Sequence, residues 1–160
     1  MLLLGSGAVL AGCGSRAAAD QALAGAGAER TMIVHRDPSC GCCAKWAQLA
    51  GEAGYQVSVV DEGDMAALKR RLRIPAALDS CHTAEVAGIV VEGHVPFQAL
   101  ARFLAERPSG AIGLAVPGMP VGSPGMGMPG VAPDPLVVHA FAADGSSRVY
   151  AEPGGARGEV

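Results

Sequence analysis

Cys40-Gly41-Cys42-Cys43 decides how this sequence is interpreted, because it places three thiols within four residues. The motif follows the apolar run Met32-Ile33-Val34 and precedes the helix-like stretch 44–53. Thioredoxin-like domains present a redox pair in this way, as a strand, then C-x-x-C, then a helix. A helix N-terminus stabilises thiolates, which are the form of cysteine that binds soft metals such as Cu(I) and Zn(II). The motif therefore predicts a functional thiol cluster at the start of a helix.

The segments around the motif follow the order of a thioredoxin-like α/β fold. Apolar β-branched runs predict strands, and helical spacing of Trp46, Leu49 and Ala53 predicts one face of a helix. The predicted strands cover 31–35, 55–60, 83–86 and 89–92, the predicted helices cover 40–53, 65–72 and 96–107, and a last hairpin covers 136–141 and 148–151. This order predicts a mixed central sheet with flanking helices and an additional C-terminal hairpin.

Topology connects the motif to a fourth thiol at Cys81. In the thioredoxin-like core the first and third strands are antiparallel neighbours, so the end of the first strand meets the start of the third. Cys40 follows the first predicted strand, and Cys81-His82 precedes the third. The predicted fold therefore brings the three thiols of the motif together with the thiol and the imidazole of Cys81-His82.

Histidines and methionines could extend this set of ligands. His82 is either a metal ligand or a solvent-facing strand residue, and His94 lies in a turn before the third predicted helix. The segment 110–132 is rich in Gly and Pro and is predicted to be a loop. It carries Met119 and Met126, whose thioethers are soft ligands suited to Cu(I), although methionines also fill surface gaps.

Composition and charge restrict the possible functions. The chain has 160 residues, which suits one domain, and 50% of them are hydrophobic. The basic run Lys69-Arg70-Arg71 is predicted to be a solvated helix face. With a net charge of −3, the chain offers no basic stripe that could neutralise phosphates. We therefore expect no nucleic acid partner.

The N-terminal segment predicts export across the inner membrane. Residues 2–10 form an apolar run too short to span a bilayer, and Leu10-Ala11-Gly12-Cys13 matches a bacterial lipoprotein cleavage box. The alternative is an ordinary signal peptide, which would export the chain without an anchor. Neither Lys nor Arg precedes the apolar run, as a signal peptide should have, so we expect the true start of the protein to lie upstream. We expect a signal peptide at 1–12, lipidation of Cys13, a flexible tether at 13–30, a folded domain at 31–152 and a disordered tail at 153–160. The protein would then be anchored to the membrane on the periplasmic side of the bacterial cell envelope.

The four thiols other than Cys13 allow several interpretations. Two structural disulfides would suit an oxidising compartment, but adjacent Cys42 and Cys43 would each have to reach a separate partner. A thiol–disulfide oxidoreductase would use Cys40 as nucleophile and Cys43 as resolving thiol, and would need neither of the other two. A structural zinc site would normally space its ligands as C-x₂₋₄-C pairs. A cluster of soft thiolate ligands would use all four.

The sequence resembles the CopG-type periplasmic copper-resistance proteins, a thioredoxin-like family formerly described only as a domain of unknown function. (They are unrelated to the ribbon-helix-helix repressors of the same name.) The similarity extends from about Met32 to Ala151, and its motifs are long, ordered and specific. The shared stretches are Pro38-Ser39-Cys40-Gly41-Cys42-Cys43 with Lys45-Trp46, Ser80-Cys81-His82-Thr83-Ala84, Val91-Glu92-Gly93-His94-Val95-Pro96, Gly113-Leu114-Ala115-Val116-Pro117-Gly118-Met119-Pro120 and Gly122-Ser123-Pro124-Gly125-Met126.

The resemblance implies a cysteine cluster that bridges several copper ions instead of cycling a simple disulfide. It also implies copper sequestration, or a copper-dependent oxidoreductase that changes the redox state of the metal, with other copper-handling proteins of the envelope as partners. The residues that match the family are Cys40, Cys42, Cys43 and Cys81, together with His94 and the loop of Met119 and Met126. Members often carry His at the position of Leu49, so a helix-borne imidazole is absent here. Many members also have Tyr or Lys at the position of His35.

Overall fold

The computed structural model describes residues 30–151, which form one mixed sheet of seven strands with three helices. The predicted signal peptide (1–12), the lipidated Cys13, the tether (13–30, apart from Arg30) and the tail (153–160) lie outside the described residues. None of the helices described is both long enough and apolar enough to cross a membrane.

The order of the elements confirms the predicted thioredoxin-like arrangement. The strands are β1 (Thr31–Arg36), β2 (Gln56–Asp61), β3 (His82–Val86), β4 (Ile89–Glu92), β5 (Ala111–Ala115), β6 (Val138–Ala142) and β7 (Ser147–Ala151). The helices are α1 (Gly41–Glu52), α2 (Met65–Arg71) and α3 (Phe97–Glu106), and a 3₁₀ turn covers Ala76–Leu78. The strands lie in the order β2-β1-β3-β4-β5-β6-β7. The pairs β1–β2 and β4–β5 are parallel, and the other neighbours are antiparallel.

Side-chain alternation along the strands gives the sheet a buried core on each face. On one face, strand residues pack with residues of α1 and α3. This core includes Met32, Val34, Ala84, Val91 and Leu114 from the strands and Trp46, Leu100 and Phe103 from the helices. A smaller core on the other face joins Leu78, Val90, Ala115 and Phe141 to Leu72 and Ile74, which follow α2. Apolar side chains therefore pack against both faces of the sheet.

The prediction that 110–132 is entirely loop is wrong, because β5 lies within it. This strand runs parallel to β4, and a parallel neighbour requires a crossover connection, which α3 supplies. The predicted C-terminal hairpin is present as β6 and β7, so three strands, not two, extend the core sheet. Gly113 interrupts the apolar pattern of β5 and obscures it as a strand.

Gly113 has a steric reason to lack a side chain. A Cβ there would lie 2.6 Å from Cζ of Phe141 and would also collide with the carbonyl oxygen of Val90. We expect Gly113→Ala to lower the free energy of unfolding by about 1–3 kcal/mol through overpacking. Gly51→Ala is the matched control, because nothing lies within 4 Å of a Cβ at that position in α1.

The control should raise the free energy of unfolding by about 0.5–1 kcal/mol, since alanine is favoured over glycine inside a helix. Chemical denaturation of both variants measures the two changes. Equal effects of Gly113→Ala and Gly51→Ala would contradict the packing of β5 between its neighbours.

Candidate metal centre

The end of β1 and the start of β3 meet as predicted, with Arg36 paired to His82 in the antiparallel register. After β1 the chain turns at Asp37, whose carboxylate accepts a hydrogen bond from the backbone N–H of Ser39 at 2.8 Å. Cys40 then occupies the N-cap position of α1 without a side-chain cap. The thiols of the motif therefore lie in the first turn of a helix, where unpaired N–H groups and the helix dipole favour negative charge.

The three cysteines of the motif and Cys81 form one compact group. Their sulfur atoms all lie within 4.8 Å of one another. Cys40 and Cys43 are joined as a disulfide, with 5.4 Å between their Cα atoms. Cys42 and Cys81 are free and partly buried. The described cysteines thus form one disulfide rather than the two that a purely structural role would need.

Cys81 is also the centre of a second group, which it forms with His82 and His94. Nε2 of His94 lies 3.1 Å from Sγ of Cys81. Nδ1 of His94 lies 2.7 Å from the carbonyl oxygen of Pro124, to which it donates a hydrogen bond. That bond fixes the tautomer of the neutral ring, so the lone pair of Nε2 faces the sulfur. His94 is therefore oriented with Nε2 toward the sulfur of Cys81.

His82 is fully buried, so the alternative that it is a solvent-facing strand residue is wrong. Its ring lies against Trp46 at 4.7 Å between centroids and meets the ring of His94 edge-on at 4.8 Å. Nδ1 of His82 is 3.4 Å from Sγ of Cys81, whereas Nε2 has no hydrogen-bond partner among the described residues. A buried nitrogen without a partner is uncommon. The ring nitrogen that faces the sulfur of Cys81 is Nδ1.

The protonation of this group follows from its burial. Burial raises the pKa of the Cys81 thiol to about 12, and neighbouring Cys42 adds to the rise. Burial lowers the pKa of His82 to about 3, assisted by His94 and Lys69. Burial also lowers the pKa of His94, although its contact with the Pro124 carbonyl opposes the change. Both imidazoles are thus neutral and can donate lone pairs directly, whereas a metal ion must displace the thiol proton.

A buried ion pair supports the segment that carries Cys81. The side chain of Glu92 is fully buried, and its Oε1 lies 2.8 Å from Nζ of Lys69. The same carboxylate accepts hydrogen bonds from the backbone N–H of Ser80 at 2.7 Å and from the hydroxyl of Thr83 at 2.6 Å. Glu92 therefore holds the chain directly before and after Cys81-His82.

The prediction of a solvated basic face on α2 is wrong for Lys69, whose side chain is only 12% exposed. Lys69 also contacts the carboxylate of Asp79 and donates to the carbonyl oxygen of Ser80. Burial alone would lower the pKa of Lys69, but the carboxylates of Asp79 and Glu92 raise it overall. The sequence signal that could have indicated the buried ion pair is Glu92, an acidic residue that ends the apolar strand Ile89-Val90-Val91-Glu92.

The methionine loop, which we define as residues 116–137 between β5 and β6, is anchored to the same region at two points. The backbone N–H of Gly118 donates to the carbonyl of Asp79 at 3.1 Å, beside the start of β3. Farther along, a Cβ on Gly125 would lie 3.2 Å from the backbone nitrogen of Trp46 in α1. Met126 is partly buried and Met119 is 54% exposed. The loop therefore packs on the first turn of α1, and Met119 and Met126 stay predicted ligands.

His35 does not join the centre. Its Nε2 lies 3.2 Å from a carboxylate oxygen of Glu85, and its Nδ1 lies 3.7 Å from one of Glu62. Alternation along β1 directs His35 to the opposite face of the sheet from Met32 and Val34, which pack with α1. The imidazoles near the thiols are thus those carried by β3 and by the turn after β4.

The chain is similar to one domain family and to two solved structures. A domain family described as "Protein of unknown function, DUF411" matches residues 78–126, which include Cys81, His82, His94, Met119 and Met126. A search of curated proteins found no match. Two solved structures match, and both bear the name copper resistance protein CopG, as Form 1 and Form 2.

Form 1 is 42% identical to this chain with a TM-score of 0.71, and the alignment covers 76% of this chain and 95% of that one. Form 2 is 41% identical with a TM-score of 0.71, and the alignment covers 76% of this chain and 96% of that one. Identity at this level over nearly the whole of those chains establishes common descent. The chain therefore belongs to the family of the copper resistance protein CopG.

Proposed function

We propose that this protein serves copper resistance by binding copper on the periplasmic side of the cell envelope. The observation that carries the proposal is the group of four cysteine sulfurs within 4.8 Å at the N-terminus of α1. The similar solved structures, which are named copper resistance proteins, favour copper over other soft metals. In the reduced protein, thiolates would bridge several copper ions. The proposed ligands are Cys40, Cys42, Cys43, Cys81, His82, His94, Met119 and Met126.

The mixed ligand set suits both oxidation states of copper. Thiolates and thioethers prefer Cu(I), whereas imidazole nitrogen also accepts Cu(II). The neutral imidazoles of His82 and His94 lie on the sheet side of the thiols, where they can complete the coordination. Interconversion of Cu(I) and Cu(II) would make the protein a copper-dependent oxidoreductase, and other copper-handling proteins of the envelope would be its exchange partners.

The envelope location follows from the predicted lipoprotein box that ends at Cys13. A lipid on that residue would place the domain at the membrane surface, with the tether between them. Labelling of cells with a radioactive fatty acid tests the anchor, because Cys13→Ser should remove the label from this protein. Labelling that survives the substitution would contradict it.

The test of the copper proposal is the metal content of the untagged, reduced protein after anaerobic exposure to Cu(I) and Zn(II) together. We expect more than one copper ion per chain and little zinc, because thiolate groups bind copper more tightly than zinc. A single zinc ion per chain would instead favour a structural zinc site. A reduced protein that stays free of both metals would contradict the proposal.

A thiol–disulfide oxidoreductase is the second candidate, because Cys40 and Cys43 are joined as a disulfide in C-x-x-C spacing. Cys42 speaks against it, since its sulfur lies 3.5 Å from that of Cys40 and would compete in thiol exchange. Cys42→Ser separates the two functions. A dithiol enzyme should keep its disulfide reductase activity in this variant, whereas a copper cluster should lose metal.

A further inference from the structure

We propose that Cys81, His82 and His94 form a subsite that binds one divalent metal ion while Cys40 and Cys43 are joined as a disulfide. The inference rests on the proposed copper function and deepens it. It concerns the state of the protein in which two of the four grouped sulfurs no longer carry a thiol.

The two ligand groups are built on different elements and share one residue. Cys40 and Cys43 lie at the start of α1, whereas Cys81, His82 and His94 lie at the start of β3 and in the turn after β4. The disulfide removes two thiols from the first group and none from the second. The second group therefore keeps its full set of donors in the oxidised protein.

The donor atoms of the subsite already have the spacing of ligands around one ion. With metal–sulfur bonds of about 2.3 Å and metal–nitrogen bonds of about 2.0 Å, tetrahedral ligands lie roughly 3.5 Å apart. Sγ of Cys81 is 3.1 Å from Nε2 of His94 and 3.4 Å from Nδ1 of His82. All three donor atoms lie within 4.8 Å of one another, so small movements of these side chains would let one ion bind between them.

The surroundings of the subsite hold these donors in place. The Pro124 carbonyl orients the ring of His94, and Trp46 and His94 pack against the ring of His82. The indole N–H of Trp46 donates to the Val95 carbonyl at 3.1 Å, which fixes the indole. Fixed and buried imidazoles favour metal binding because little ordering remains to be done.

The chemistry of the donors predicts which metals the subsite accepts. Two imidazoles and one thiolate suit divalent zinc and copper, whereas the group of four thiolates suits Cu(I). Reduction of the disulfide by a dithiol, which itself becomes a disulfide, returns the thiols of Cys40 and Cys43. The redox state of this pair would then set the metal capacity, with one ion in the oxidised protein and several in the reduced protein.

The test uses Co(II), which resists reduction by thiols and whose visible spectrum reports tetrahedral and thiolate coordination. The untagged full chain is oxidised, and alkylation with mass spectrometry verifies that Cys42 and Cys81 react while Cys40 and Cys43 do not. We expect about one Co(II) per chain with a thiolate-to-cobalt absorption band, as for a three-ligand site with an open position. His94→Gln should weaken Co(II) binding by at least about tenfold.

The matched control is His139→Gln, which changes a histidine of β6 outside both ligand groups and should leave Co(II) binding unchanged. Loss of Co(II) binding in Cys42→Ser, with retention in His94→Gln, would overturn the assignment.

Cu(I) capacity of the reduced protein is measured in parallel. Several Cu(I) ions in the reduced protein, with no Co(II) in the oxidised one, would overturn the subsite alone. One bound Co(II), with no Cu(I) cluster in the reduced protein, would overturn the proposed cluster alone.

Discussion

Cys81→Ser is expected to reduce copper binding from several ions per chain to at most one and to remove metal from the oxidised protein as well. Cys81 belongs to both ligand groups, and of the four grouped sulfurs it alone lies on the sheet side rather than on α1. Without it, no thiolate joins the cysteines of α1 to the imidazoles. Loss of a group that merely supports a ligand costs about 10–100-fold in affinity, so loss of this shared ligand should cost at least about 100-fold. Anaerobic titration with Cu(I) against a competing chelator measures the change.

The fold should survive this substitution, which keeps the copper result interpretable. A serine hydroxyl can donate to Nε2 of His94 as the thiol does, so we expect a change in unfolding free energy of less than about 1 kcal/mol. Cys13→Ser is the matched control, because it makes the same substitution at a cysteine that we predict to carry lipid. Full copper occupancy in Cys81→Ser would refute the cluster, as would an equal loss in Cys13→Ser.

The core of the fold could be predicted because its signals are local. Asp64 caps α2 by accepting from the backbone N–H of Ala67 at 2.8 Å, as its position before the helix indicates. Gly54 adopts a left-handed φ of 92° after α1, as expected for the residue that ends a helix. Short strands with clear turns on both sides then give the order of the elements. Order and handedness together fix which strands are neighbours.

The strand β5 was missed for a physical reason. Its central Gly113 is required by the close approach of Val90 and Phe141, which lie on neighbouring strands and far away in sequence. A glycine chosen for tertiary packing has the same local appearance as one chosen for a flexible loop. The apolar residues on both sides of Gly113, which follow the crossover helix α3, are the signal that could locate β5.

In the candidate site, too, some features could be predicted from the sequence and others could not. Topology alone predicted that the thiol and imidazole of Cys81-His82 meet the motif, because the pairing of β1 with β3 determines that contact. Burial of His82 against Trp46 and the orientation of His94 by the Pro124 carbonyl depend on contacts between segments far apart in sequence, which no local pattern records. The disulfide between Cys40 and Cys43 depends on the oxidation state of the protein, so the sequence allows it without requiring it.

Lys69→Met is expected to lower the free energy of unfolding by about 3–5 kcal/mol, because it leaves the carboxylate of Glu92 buried without its cation. Glu92→Gln should cost less, about 1–3 kcal/mol, since Lys69 keeps its contacts with Asp79 and the Ser80 carbonyl. The double variant Lys69→Met with Glu92→Gln removes both charges together. It should be less destabilised than the sum of the single variants by about 1–3 kcal/mol. Chemical denaturation of the wild type and the three variants measures this coupling.

Arg70→Met is the matched control, because Arg70 is an exposed cation of the same helix, and it should change the unfolding free energy by no more than about 0.5 kcal/mol. Strictly additive losses in the double variant would show that Lys69 and Glu92 act independently.

The same variants connect stability to the metal centre. Since Glu92 holds the backbone N–H of Ser80 directly before Cys81, Glu92→Gln should also weaken copper binding by about tenfold. Unchanged copper affinity in a folded Glu92→Gln variant would confine the ion pair to a purely structural role. A loss would make Glu92 a positioning residue, because it acts on the metal only through the segment that carries Cys81 and His82.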